Sequence, residues 1–118
     1  MIKVKPIIKT EIIEFEMNGP CEVSDIEAIV VSEYKNASRG VLWNMIEGSS
    51  LNISQEDMPF LANVVKEYAK HKKTAYVSQD ARSLELLRQY ESYARIKDVE
   101  PNLKVFSDYD EALVWLML

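Results

Sequence analysis

From Val41 onward the chain recurs to one unit, an apolar strand followed by a capped amphipathic helix, and this alternation restricts it to parallel strands joined by helical crossovers. Val41 to Ile46 reads Val-Leu-Trp-Asn-Met-Ile, apolar at every position but one. Such a strand is shielded on both faces and belongs in the middle of the sheet. Glu47-Gly48-Ser49-Ser50 turns the chain away, and a helix opens between Ser54 and Asp57. Ser54 with Asp57 has the spacing of a capping box, yet Pro59 lies too deep in a helix capped there, so either residue is a possible start. Met58, Leu61, Ala62, Val65 and Ala69 form the inward stripe of that helix. Thr74 to Val77 is the next strand, Asp80 caps a helix that turns Leu84, Leu87 and Ala94 inward, and Leu103 to Phe106 is the last strand. In the closing helix Tyr109, Ala112, Leu113, Leu116 and Met117 share one face, while Val114, Trp115 and Leu118 add apolar surface beyond it.

The N-terminal part differs. Thr10 to Met17 interleaves glutamates with apolar residues and reads as a strand with one wet face near a sheet edge. Ile2 to Ile8 is its hairpin partner, placed outermost because Pro6 cannot donate to a ladder. Ser24-Asp25-Ile26-Glu27 has capping-box spacing and opens the first helix, which buries Ile26, Ile29, Val30, Tyr34 and Ala37 and ends at Arg39-Gly40. The expected order is ββαβαβαβα: an α/β fold with a mixed sheet flanked by helices, one domain spanning residues 1–118.

A net charge of −5 argues against nucleic acid, which selects clustered Lys and Arg. With one cysteine, Cys21, and one histidine, His71, no disulfide, metal site or His-dependent nucleophile can be assembled, and no cofactor is expected. No apolar run has membrane-spanning length and the N-terminus lacks a signal-peptide core, so the expected location is the cytoplasm.

Val41-Leu42-Trp43-Asn44, Lys73-Thr74-Ala75-Tyr76-Val77 and the closing Val105-Phe106-Ser107-Asp108-Tyr109-Asp110-Glu111-Ala112-Leu113-Val114-Trp115-Leu116 resemble the small bacterial SpoIIAA-like proteins of the STAS superfamily. The resemblance implies a SpoIIAA-like sheet, related in shape to anti-sigma-factor antagonists and to CRAL-TRIO lipid carriers. The antagonists carry an Asp-Ser-Ser-Gly-like segment before their second helix. Here that region reads Ile53-Ser54-Gln55-Glu56-Asp57, with Ser54 the nearest match to a phosphoserine.

The candidate binding surface is the rim at the carboxyl ends of the strands, where open parallel sheets place ligands. It contains Glu47 to Ser50, Ser78 to Arg82 and Ser107 to Asp110, with Ser49, Ser50, Ser54, Asp57, Ser78, Gln79 and Arg82 as the candidate binding residues. Ser78, Gln79 and Arg82 beside a helix N-terminus could hold a carboxylate or phosphate, although Asp80 competes as the cap. Lys70-His71-Lys72-Lys73 is the one basic run and complements the carboxyl end of the second helix. Tyr90 and Tyr93 are positioned to line a slot for an apolar ligand, and Trp115 with Leu118 to make a homodimer contact. The function expected is a non-catalytic module that binds a protein partner; the alternative is a carrier of a small apolar or lipid-like ligand.

Overall fold

The computed structural model describes residues 1–8, 11–70, 72–100 and 102–118. Its frame is a five-stranded sheet built from β1 (Ile2–Ile8), β2 (Ile12–Met17), β4 (Gly40–Met45), β6 (Lys73–Ser78) and β7 (Leu103–Phe106), in the order β1-β2-β4-β6-β7. β1 is antiparallel to β2 and outermost, as Pro6 requires; the other neighbours are parallel. The apolar strand β4 is central. Two further strands were not expected: β3 (Pro20–Glu22) and β5 (Ser50–Asn52) pair in parallel as a separate ribbon.

Helices α1 (Val23–Glu33), α2 (Met58–Tyr68) and α3 (Ala81–Ile96) cover one face. Under them lie Ile13, Phe15, Val41, Trp43 and Val105. Among the described residues helix α4 (Tyr109–Met117) is the one helix on the other face, over Ile12, Leu42, Ala75, Val77 and Phe106. Alternate residues of a strand point to opposite faces, so a strand with a layer on each side is apolar throughout.

Several local expectations are corrected. Strand β2 is second in the sheet rather than wet: Glu14 is 4% exposed, because α4 and Asn44 close over the face that carries the glutamates. The Thr10 end of that expected strand lies outside the described residues. Helix α1 starts one residue before Ser24; the Glu22 N–H donates to Asp25 Oδ2 at 2.9 Å, so Glu22 is the cap. Arg39-Gly40 does not end α1, whose last turns run through a 3-10 segment at Tyr34–Asn36. Gly40 opens β4 instead, and a Cβ there would lie 2.8 Å from the Lys73 carbonyl and 3.1 Å from Leu116 Cδ2. Only glycine admits that close approach. Both readings of the second helix are partly right: Ser54 opens a 3-10 turn at Gln55–Asp57, and α2 begins behind it with Pro59 in its first turn. Met117 is exposed rather than inward.

The basic run divides. Lys72 Nζ reaches the Tyr68 carbonyl at the end of α2, at 3.5 Å. Lys73 serves α4 instead, donating to the Trp115 and Leu118 carbonyls at 3.0 Å, and Arg39 donates to the Met117 carbonyl at 2.8 Å. Cations thus satisfy carbonyls that the end of α4 leaves without partners. His71 lies outside the described residues. No helix among them is long and apolar enough to cross a membrane.

Candidate functional site

The parallel strands all end at one rim, where β4 turns away through Glu47, Gly48 and Ser49, and β6 enters α3 through Gln79 and Asp80. Gly48 has φ +85°, a conformation that glycine adopts without strain and that fixes this turn. Between the two loops and the first residue of α4 is an open cleft of about 700 Å³, lined by Asn44, Glu47, Ser49, Gln79, Asp80 and Tyr109 among others.

The buried Glu14 lies behind two of the lining residues. Glu14 Oε1 accepts a hydrogen bond from the Tyr109 hydroxyl at 2.7 Å, and Oε2 accepts from Asn44 Nδ2 at 3.1 Å. This ties β2, β4 and α4 together at the rim. Burial, reinforced by the bond to Glu14, pushes the Tyr109 hydroxyl up to about 12, so it stays a neutral donor at physiological pH. Asp80 accepts from the Ser83 N–H at 2.9 Å, and that backbone bond holds its carboxyl below the ordinary range. The Ser49 hydroxyl is turned to the Ile46 carbonyl. Among the described residues no Lys or Arg lines the cleft, so its polar atoms suit a donor or a cation rather than an anion.

Of the residues singled out from the sequence, Ser49 and Gln79 line this cleft. Ser78 is buried behind it, its Oγ accepting from the Asp80 N–H at 3.1 Å. Arg82 is exposed and makes no ion pair among the described residues. Ser50 lies in β5, its N–H donating to the Gly19 carbonyl at 3.0 Å. Ser54 and Asp57 belong to the turn before α2, where Asp57 Oδ2 accepts from the Ser54 N–H at 2.8 Å and from its hydroxyl at 3.1 Å. Trp115 is half-buried, with the Lys73 ammonium 5.1 Å from its ring centre, and Leu118 is exposed. Glu14 was not foreseen at the site, whereas Tyr109 falls in the Ser107–Asp110 stretch expected at the rim. Alternation marked the face of Glu14 but not the residues that cover it.

The two tyrosines of α3 do not share a slot: Tyr90 borders a small interior apolar space and Tyr93 does not. Tyr90 is buried and donates to Glu100 Oε2 at 3.1 Å; Tyr93 is half-buried on an open groove along the helix. The apolar space beneath α2 and α3, lined by Trp43, Leu61, Val65, Leu87 and Tyr90 among others, amounts to about 30 Å³. That is room for about one water, whereas small-molecule sites are typically about 300–1,000 Å³.

No family model matches the sequence, and no curated protein matches it. Solved structures do match. The anti-sigma factor antagonist SpoIIAA in its unphosphorylated form aligns with a TM-score of 0.55 at 12% identity, covering 96% of this chain and 93% of that one. The chain has the SpoIIAA fold. The phosphorylated form of SpoIIAA, described as a Bacillus cell fate determinant, aligns with a TM-score of 0.51 at 12% identity, covering 97% of each chain. The likeness to SpoIIAA therefore runs through nearly the whole chain, including the mostly parallel sheet and all four described helices. At this identity it is a likeness of fold, and the site must be read from its own side chains.

Proposed function

We propose that the chain is a non-catalytic module that binds a partner protein at the cleft over the carboxyl ends of its strands, where a basic side chain of the partner enters between Gln79, Asp80 and Tyr109. The observation that carries this reading is the acceptor-rich lining, with the buried Glu14 carboxylate behind it and no Lys or Arg among the described residues that line it. The same fold serves an anti-sigma factor antagonist, a protein that acts on another protein. A carrier of an apolar ligand finds less support, since the interior space is about 30 Å³. Ser54 is read as a cap: a phosphate there would stand against the Asp57 carboxylate, now 3.1 Å from its hydroxyl.

The test is affinity capture from host extract with wild type beside Gln79→Arg. Gln79 is exposed, so the substitution puts a cation in the cleft without disturbing the core. A protein retained by wild type and depleted about tenfold or more by the variant is the expected result. Equal retention by both would contradict the proposal.

A further inference from the structure

The exposed side of α4 is apolar where a monomer would be polar. Val114 is 62% exposed, Met117 49% and Leu118 78%. Val114 and Leu118 stand beside a shallow groove between α4 and the edge strand β7, with Phe106 and Trp115 in its floor, their rings 5.7 Å apart. The helix that carries Val114 and Trp115 is held at both ends. Asp108 caps the start of α4 by accepting from the Asp110 N–H, and Arg39 and Lys73 hold its last carbonyls. A rigid apolar face loses little conformational entropy on binding.

Charge selects the occupant. Lys104, on β7, borders the groove on one side, its ammonium 5.4 Å from the Phe106 ring centre and without an ion pair among the described residues. Asp110 and Glu111, in the first turn of α4, border the other. A surface with one sign at each end of an apolar centre is complementary to itself: under a twofold axis each Lys104 meets the acidic turn of the other copy. We propose that this face is the contact between two copies of the chain, with Val114 and Leu118 of each seated against the groove of the other. The contact is made by side chains; Glu91 Oε2 accepts from the Val105 N–H at 3.0 Å and so occupies one of the donors that the β7 edge would offer to an added strand. This surface is distinct from the cleft proposed for a heterologous partner.

The experiment is sedimentation velocity over a range of protein concentrations, with thermal melts to establish that each variant folds. Wild type should sediment as a dimer at the upper concentrations. Val114→Glu should be monomeric with an unchanged melt, since Val114 is exposed in the monomer. Lys104→Glu should weaken the dimer about tenfold, and Lys104→Glu combined with Glu111→Lys should restore it. A wild type that stays monomeric at every concentration would overturn the proposal, as would a dimer indifferent to Val114→Glu or a charge swap that restores nothing.

Discussion

Replacing Trp43 with alanine should cost about 3–5 kcal/mol of folding free energy, the range for truncating a large aromatic in a close-packed core. Trp43 is 1% exposed in the central strand. Its ring lies 4.8 Å from Phe15, 6.3 Å from Tyr76 and 6.4 Å from Tyr34, centre to centre. Its indole N–H donates to the Tyr34 hydroxyl at 2.8 Å, so truncation opens a void and removes a partner from a buried oxygen. Trp43→Phe fills most of the space but not the bond, and should cost less. Urea unfolding monitored by circular dichroism measures both. Since a small domain has about 5–15 kcal/mol in all, Trp43→Ala should leave the fold marginal. A loss under about 1 kcal/mol would mean that the middle of the sheet is not where stability is concentrated.

The second large effect depends on pH. Glu100 is 3% exposed in the loop between α3 and β7, and its carboxylate accepts from the Thr74 hydroxyl at 2.8 Å and from the Tyr90 hydroxyl at 3.1 Å. Burial raises its pKa from the ordinary 4.5 to about 7, with the two hydrogen bonds opposing. The hydroxyls of Tyr76 and Tyr34 belong to the same buried group and are themselves pushed up, first by burial and then by Glu100. A folded-state pKa above the unfolded one means that the native state holds the proton more tightly. The associated stability is therefore complete below about pH 4.5 and is lost as pH rises through about 7. The difference corresponds to about 3 kcal/mol. Urea midpoints at about pH 5 and about pH 8 should show this decline in wild type and little of it in Glu100→Gln. A wild type equally stable at both would contradict the buried placement of Glu100.

What the sequence discloses follows how far each signal is local. Val41 to Ile46 announces a central strand because an unbroken apolar run serves only a strand covered twice, and β4 is the middle of the sheet. Asp80 was legible as a cap because its bond to the Ser83 N–H is a three-residue affair. Strands β3 and β5 have three residues each, too few for a period, and they exist only because each finds the other. The start of α1 was displaced because two local caps compete, and the entry from β3 favours Glu22 over Ser24.

The candidate site was legible as a place more than as a set of groups. Parallel strands imply the rim, and Ser49 and Gln79 line its cleft. Glu14 could be assigned to a face but not to burial, because its cover comes from Asn44 and from Tyr109, which is 95 residues away in the chain. Glu100, in Lys97-Asp98-Val99-Glu100, has the surroundings of a surface loop, and only the fold brings Thr74 and Tyr90 to it. Long-range polar partners leave no periodic trace.

A filled interior and a working exterior make one claim, and native mass spectrometry of the protein purified from its host tests it most directly. The expected spectrum contains the bare polypeptide mass, with any larger species differing by the mass of a whole protein chain. A small molecule retained stoichiometrically on the folded chain would contradict it, because it would occupy either the interior, where the space beneath α2 and α3 is about 30 Å³, or the cleft assigned to a protein partner.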